Sequence, residues 1–135
     1  MSDQPEIKDD AFGTKWWKLN GALHRKDDPA VEYSNGSKEW WVNGKRHRED
    51  GPAIELANGY KEWWENGHIH RKNGPAVEAP DGYKAWYVNG KLHREVGPAI
   101  EYSNGTKVWY LNGICIQGIG PIIPHRFFDV EEELS

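Results

Sequence analysis

The chain alternates short β-prone runs with polar glycine turns, and this pattern repeats every 23 residues. The period is marked by five tryptophans: Trp17, Trp40, Trp63, Trp86 and Trp109. It is also marked by five lysines (Lys15, Lys38, Lys61, Lys84, Lys107) and five prolines (Pro29, Pro52, Pro75, Pro98, Pro121). A fixed period of this length is the signature of a repeat architecture, so we expect five copies of one supersecondary unit.

Two glycine turns recur in the repeat and predict hairpins. The first opens at Asn20, Asn43, Asn66, Asn89 and Asn112. The second is Asn35-Gly36, Asn58-Gly59, Asp81-Gly82 and Asn104-Gly105. Asn-Gly between β-prone runs favours a two-residue type I′ turn, because both central residues then need a positive φ. The predicted fold class is all-β: a single-layer antiparallel β-hairpin repeat array, a meander or solenoid with a short C-terminal cap.

The predicted organisation has three parts. Residues 1–14 form an acidic N-terminal tail, of which residues 1–12 are expected to be disordered. Residues 15–123 form the five repeats, and the last is degenerate because Ile116-Gln117 replaces a His-Arg pair. Residues 124–135 are expected to cap the array, with Phe127-Phe128 in a turn of helix over the last edge. Such ends are typical of arrays, since an open sheet edge invites pairing with another chain.

Counting outward from two-residue turns predicts the strand register. Around the second turn it pairs Val31 with Trp40, Ile54 with Trp63, Val77 with Trp86 and Ile100 with Trp109. Around the first turn it places Trp17, Trp40, Trp63 and Trp86 opposite His24, His47, His70 and His93. One sheet face would then hold Val or Ile, Trp and His. We interpret the tryptophans, including Trp109, and these histidines as structural, each His packed against its Trp.

The same count predicts the opposite face. Glu32 would lie opposite Glu39 and Glu55 opposite Glu62, with Arg48 beside Glu39 and Arg71 beside Glu62. An aromatic column runs alongside: Trp41, Trp64, Tyr87 and Tyr110. Trp, Tyr and Arg are enriched at interface hot spots. We therefore predict that this column, together with Arg48, Arg71 and Arg94, binds a partner or ligand.

Composition and charge narrow the classes of function. The chain has 135 residues, with eight Trp and six Tyr that supplement few aliphatics. Residues 15–117 carry 15 Lys and Arg against 13 Asp and Glu, whereas the two ends carry 2 against 8. This balance argues against duplex nucleic acid. No run is apolar enough for a membrane span, and a lone Cys115 is compatible with a reducing compartment, so a cytoplasmic location is expected.

The repeat spreads identical groups along a line, which argues against catalysis and metal binding. Equivalent histidines lie about 10 Å or more apart, whereas two ligands of one zinc lie within about 4 Å of each other. His68-x-His70 has no evident third ligand. Cys115, between Ile114 and Ile116, is expected to be buried and inert. We predict no catalytic residues, no metal and no cofactor, and hence no enzyme.

A family resemblance adds to this interpretation. Val42-Asn43-Gly44-Lys45-Arg46-His47, with Gly51 and Asn58-Gly59 after it, resembles a MORN repeat, and the resemblance spans residues 15–123. Typical MORN units have Gly where this chain has Arg25, Arg48, Arg71 and Arg94. The chain is more similar to the His-Arg-x-x-Gly-Pro-Ala variant found in bacterial, phage and giant-virus proteins. The resemblance implies a MORN-like scaffold that binds protein partners, sometimes phospholipids, and some related repeats act as antitoxins.

The leading hypothesis is a non-enzymatic binding module. It would act as a protein-protein interaction scaffold or as an inhibitor of a partner protein, phage- or bacterium-encoded, with an anti-defence or antitoxin-like role in the host cytoplasm. One alternative is a protein that sequesters a small nucleotide in a groove beside Arg71, where aromatics stack the base and Arg holds phosphate. Another is a homo-oligomer that self-assembles as a virion component.

Overall fold

The computed structural model describes residues 4–119, and every regular element within them is a β-strand. In chain order the strands are β1 (Glu6–Asp9), β2 (Lys15–Leu19), β3 (Ala22–Leu23), β4 (Val31–Glu32), β5 (Lys38–Glu39), β6 (Trp41–Val42), β7 (Lys45–Arg46), β8 (Ile54–Glu55), β9 (Lys61–Glu62), β10 (Trp64–Glu65), β11 (His68–Ile69), β12 (Val77–Glu78), β13 (Lys84–Ala85), β14 (Tyr87–Val88), β15 (Lys91–Leu92), β16 (Ile100–Glu101), β17 (Lys107–Leu111) and β18 (Ile114–Ile119). All observed pairings are antiparallel.

Twelve of these strands form one open meander in the order β1-β2-β4-β5-β8-β9-β12-β13-β16-β17-β18, with β3 paired to β2. The other six form three hairpins beside it: β6-β7, β10-β11 and β14-β15. The predicted all-β, single-layer hairpin array is confirmed. The predicted cap over residues 124–135 lies outside the described residues.

The first turn type has the predicted geometry. Asn20 and Gly21 both have positive φ, 53° and 81°, and the other four Asn-Gly pairs of this type share that conformation. The register that follows is confirmed, because the amide of His24 donates to the carbonyl of Trp17 at 2.9 Å. The same bond recurs in the next three units, from His47 to Trp40, His70 to Trp63 and His93 to Trp86.

The second turn type differs from the prediction by one residue. Tyr33 and Ser37 close a three-residue loop in which only Gly36 has positive φ, 94°. A type I turn followed by a left-handed glycine is the usual geometry of such loops. The predicted aliphatic–tryptophan pairs are therefore wrong. Instead Val31 pairs with Glu39, Ile54 with Glu62, Val77 with Ala85 and Ile100 with Val108.

This register replaces the predicted like-charge pairs with a ladder of alternating sign. Glu32 lies opposite Lys38, not Glu39, and Glu55 lies opposite Lys61, not Glu62. The ladder continues across nine neighbouring strands through Lys15, Glu32, Lys38, Glu55, Lys61, Glu78, Lys84, Glu101 and Lys107. Opposite charges facing each other across strands stabilise a sheet by about 0.2–1 kcal/mol per pair.

The buried hydrophobic residues are alanines, valines and isoleucines, together with Trp17 and Trp40. Val31, Ile54, Val77 and Ile100 are 2–8% exposed, and Ala30, Ala53, Ala76 and Ala99 are fully buried. Because strand side chains alternate, Val31 shares a face with Glu39 and Trp41, while Trp40 shares the other with Lys38. The predicted face of Val or Ile, Trp and His is thus wrong: the aliphatic residues and these tryptophans lie on opposite faces.

Hydrogen bonds from each unit to the next connect the side hairpins. The amide of Arg25 donates to the carbonyl of Trp41 at 3.0 Å, and the amide of Gly44 donates to the carbonyl of Leu23 at 2.8 Å. The Nδ1 atom of His24 accepts from the amide of Asn43 at 2.9 Å. His47, His70 and His93 make the same contact with Asn66, Asn89 and Asn112. Each structural histidine therefore holds the turn of the following unit.

The two edges of the described sheet differ. The expectation of disorder over residues 1–12 is wrong for Glu6–Asp9, since β1 pairs with β2 along its four residues. This edge carries charged side chains, which discourage pairing with another chain. At the other edge β18 pairs with β17 through a bulge at Trp109/Tyr110. Ile114, Ile116 and Ile119 are 47–68% exposed there.

The buried alanines allow a test of this packing. Ala53 is fully buried, and its amide and carbonyl bond to Glu62 and Trp40. We expect Ala53→Leu to lower the free energy of unfolding by about 1–3 kcal/mol through overpacking. The matched control is Ala57→Leu in an exposed loop, which should change it by less than about 0.5 kcal/mol. Urea denaturation measures both, and equal effects would contradict the packing.

Candidate binding face

The predicted column Trp41, Trp64, Tyr87 and Tyr110 forms a continuous half-buried stripe. Its members occupy the same position in successive units, at the start of β6, β10 and β14 and within β17. Tyr87 and Tyr110 pack on a buried cluster of Val77, Ala85, Ile100 and Val108. Tyr60 and Tyr83 pack on it as well. We call the surface formed by these six aromatic residues the aromatic face.

Two carboxylates lie on this face among apolar neighbours. Glu39 lies between Val31 and Ile54, and Glu62 lies between Ile54 and Val77. Burial of a charge is costly unless hydrogen bonds or a counter-charge compensate it.

Aromatic side chains donate hydrogen bonds to both carboxylates. Glu39 accepts from Trp41 Nε1 at 2.9 Å and from the Tyr33 hydroxyl at 2.7 Å. Glu62 accepts from Trp64 Nε1 at 2.7 Å and from the Tyr60 hydroxyl. The rings are thereby held in place by the charges beside them.

Arg46 is a residue of this site that the sequence reasoning missed. Its guanidinium carbon lies 5.0 Å from the ring centroid of Trp41 and 5.1 Å from that of Trp64. One terminal nitrogen lies 3.8 Å from Glu39, and Nε is buried without a hydrogen-bond partner among the described residues. A cleft of about 430 Å³, lined by Trp41, Lys45, Arg46, Trp64 and His68, opens beside it.

The aromatic face changes character along the array. The register of Glu39 and Glu62 is occupied by Ala85 and Val108 in the next two units. The register of Arg46 is occupied by aliphatic residues, Leu23, Ile69 and Leu92. These departures from the repeat are the signal that could have revealed Arg46. The face is polar in the second and third units and apolar in the fourth and fifth.

The predicted arginines do not join this face. The guanidinium groups of Arg25, Arg48, Arg71 and Arg94 stack at 3.8–3.9 Å over Trp17, Trp40, Trp63 and Trp86 on the opposite side. The predicted pairs of Arg48 with Glu39 and of Arg71 with Glu62 are wrong. Instead Arg48 lies 3.6 Å from Glu55, and Arg71 lies 3.2 Å from Glu78. We call this side the Arg–Trp face.

The stacked arginines explain the His-Arg-x-x-Gly-Pro-Ala motif. Arg71 Nη1 donates to the carbonyl of Pro75 at 3.0 Å, and the other three arginines bond to Pro29, Pro52 and Pro98 in the same way. A Cβ at Gly74 would lie 3.0 Å from the Arg71 guanidinium. The absence of a side chain leaves room for the arginine to close over the loop in three units, whereas Asp28 holds this position beside Arg25 in the first. The four arginines therefore make their contacts within the chain and have a structural role.

The histidines and the cysteine have the following surroundings. In residues 4–119 no three His, Cys, Asp or Glu side chains are grouped as metal ligands would be. The described part of the chain has no helix long and apolar enough to cross a membrane.

Cys115 is exposed, so the expectation of a buried thiol is wrong. It lies on β18, whose outer side has no neighbouring strand among the described residues.

The tyrosines of the aromatic face, and Tyr33 beside it, have raised pKa values. Burial, followed by the hydrogen bond to Glu39, raises the pKa of Tyr33 to about 12. The pKa of Tyr60 is raised further by burial and by Glu62. Burial also raises the pKa values of Tyr83, Tyr87 and Tyr110. Ionised phenols are disfavoured here because they would be partly desolvated, and in Tyr33 and Tyr60 because they would also face a carboxylate.

Comparisons with known proteins leave the resemblance to MORN repeats as a prediction. A scan of protein-family models gave no match to the chain, and a search of curated proteins gave none either.

The raised tyrosine pKa values predict how stability depends on pH. The folded values lie above the unfolded value of about 10, so the folded state favours the protonated phenol. Stability from this source is complete below about pH 10 and decreases as the pH rises toward 12. Absorbance titration of phenolate should show late ionisation in folded protein and ionisation near pH 10 in urea. Coincident curves would contradict the assignment.

The Arg–Trp stacks are expected to be structural. Arg71→Ala removes a charge-assisted hydrogen bond and a cation–π contact, and should lower the free energy of unfolding by about 2 kcal/mol. The neighbouring exposed Lys72→Ala serves as control, with an expected change below about 0.5 kcal/mol. Thermal and urea unfolding measure the difference. A stable Arg71→Ala protein would show that this arginine is free for another role.

Proposed function

We propose that this protein is a non-enzymatic, MORN-like binding module that recognises another protein through the aromatic face. The observation that carries the proposal is the half-buried stripe of Trp41, Trp64, Tyr87 and Tyr110, with Arg46 and two carboxylates beside it. Trp, Tyr and Arg are the residue types enriched at interface hot spots. Here they lie beside two carboxylates that are fixed by hydrogen bonds. Action in a host cytoplasm as a scaffold or inhibitor, in an anti-defence or antitoxin-like role, is part of this proposal.

The lining of the groove on the Arg–Trp face favours a protein partner over a nucleotide ligand. The groove beside Arg71, of about 740 Å³, is lined by Arg48, Arg71 and Lys72 and by as many carboxylates: Glu49, Asp50 and Glu65. Its arginines already bond to proline carbonyls and glutamates. Phosphate would meet these carboxylates, so the nucleotide-sequestering alternative has weaker support. The regular repetition of groups along the chain also supports binding rather than catalysis.

Partner capture with matched variants tests the proposal. Trp64→Ser on the aromatic face should abolish capture of the partner from a host lysate, because a central anchor is lost. Tyr87 packs on the buried cluster, so its replacement would confound binding with folding. The control is Lys61→Ser on the opposite face, and both variants must keep the circular dichroism of the parent. Equal capture by parent and Trp64→Ser would rule out the aromatic face.

Self-assembly is the second candidate function, favoured by the outer edge of β18. Ile114 and Ile116 are 68% and 56% exposed on this strand, and β18 carries no charged side chain. An uncharged apolar edge can template pairing with a second copy. Sedimentation velocity over a range of concentrations should then show dimers that Ile116→Lys removes. A monomer at all concentrations would exclude this candidate.

A further inference from the structure

Arg46 shows what the space between two consecutive aromatic rings of this fold can hold. Each repeat adds two strands to the main sheet, which advances the array by about 9.6 Å at about 4.8 Å per strand. The Arg46 guanidinium is 5.0 Å and 5.1 Å from the centroids of Trp41 and Trp64. It therefore lies nearly midway between the two rings, with Glu39 as its counter-ion at 3.8 Å.

The next space along the array keeps the carboxylate and lacks the arginine. It lies between Trp64 and Tyr87, with Glu62 in the register of Glu39 and Ile69 in the register of Arg46. Ile69 packs on the buried cluster and cannot reach as far as an arginine. We call the space bounded by Tyr60, Glu62, Trp64, Ile69 and Tyr87 the Glu62 slot.

Glu62 has hydrogen bonds but no counter-charge. Its two oxygens accept from Trp64 and Tyr60, and its flanking residues Ile54 and Val77 are buried aliphatics. In residues 4–119 no lysine, arginine or histidine nitrogen lies within 4.0 Å of this carboxylate, whereas Glu39 has Arg46. A half-buried carboxylate in this situation gains most from a cation that arrives with a partner.

The rings around the slot also favour a cation. The faces of Trp and Tyr attract guanidinium and ammonium groups, and partial burial strengthens that attraction. The negative charge of Glu62 reaches Tyr87 as well, since it adds to burial in raising the pKa of that phenol. The slot thus combines a carboxylate acceptor with two aromatic residues, Trp64 and Tyr87, which hold equivalent positions in consecutive units.

We propose that the Glu62 slot binds the guanidinium group of an arginine presented by the partner protein. The guanidinium of Arg46 already lies over both rings that flank the preceding space, and this group can stack on aromatic rings while it donates to a carboxylate. The inference rests on the proposed function, because it names the chemistry that the aromatic face recognises. The partner's arginine would complete the row that Arg46 begins.

The first test titrates the full chain with N-acetyl-arginine amide, using the indole N–H of Trp64 as an NMR reporter. Trp64 Nε1 donates directly to Glu62, so a cation in the slot must shift this resonance. We expect a saturable shift with the arginine probe and none with the uncharged N-acetyl-citrulline amide of the same shape. N-acetyl-lysine amide should bind more weakly. No shift, or equal shifts with arginine and citrulline, would overturn the proposal.

Two variants copied from other units close or disable the slot. Ile69→Arg reproduces Arg46 and should fill the slot from within, so that arginine no longer binds. Glu62→Ala reproduces Ala85 and should weaken binding about tenfold or more by removing the charged acceptor. Arg46→Leu makes the opposite change: it removes the counter-ion of Glu39 and should create a second arginine site beside that carboxylate. Thermal unfolding checks that each variant folds.

Capture of the protein partner separates failure of this inference from failure of the proposed function. If Trp64→Ser loses the partner while Ile69→Arg and Glu62→Ala retain it, the aromatic face binds a protein but the slot takes no arginine. If Ile69→Arg and Glu62→Ala lose it together with Trp64→Ser, the slot is part of the interface. If Trp64→Ser retains the partner, the proposed function itself fails.

Discussion

The length of one loop controls the placement of nearly every side chain in this protein. The Tyr33–Ser37 loop and its four equivalents, which begin at Asp10, Leu56, Ala79 and Tyr102, contain three residues, with a single left-handed glycine such as Gly36. Since a strand alternates its side chains, a shift of one residue would exchange the two faces of the sheet. The observed loop places Glu32 against Lys38 and Val31 against Glu39. The charge ladder and the aliphatic core both follow from that choice.

Within residues 4–119 no second sheet or helix packs on the single-layer sheet, so its own side chains cover the core there. On the Arg–Trp face Arg48 lies over Trp40 and bonds to Pro52, which satisfies the arginine inside the fold. On the aromatic face Tyr87 and Tyr110 cover the aliphatic cluster while staying half-exposed. The aromatic face consequently has both a structural part and a surface available to a partner, whereas the Arg–Trp face is largely self-contained.

Because the units repeat, the fold could be predicted from the sequence, whereas the residues that make up the site could not all be identified from it. The Asn20-Gly21 turns, the register that pairs Trp17 with His24 and the open meander could all be predicted, because they depend on local turn chemistry that recurs unchanged. Arg46 could not be found by searching for what repeats, since it replaces Leu23, Ile69 and Leu92 of other units. The candidate site is formed at such positions, where one unit departs from the repeat, and Glu39 and Glu62 are further examples.

The sequence by itself determined the number of units, the hairpin meander and the identity of the aromatic column, because these depend on spacing and on local turns. The tertiary structure decided the face on which each group lies and the partner it meets. Asn35-Gly36 is compatible with a two-residue or a three-residue loop, and only packing and strand pairing distinguish them. The position of Arg46 between Trp41 and Trp64 likewise depends on how neighbouring units stack. Contacts between the side hairpins of neighbouring units join residues 16 or more positions apart, such as Arg25 and Trp41, and no local sequence pattern records them.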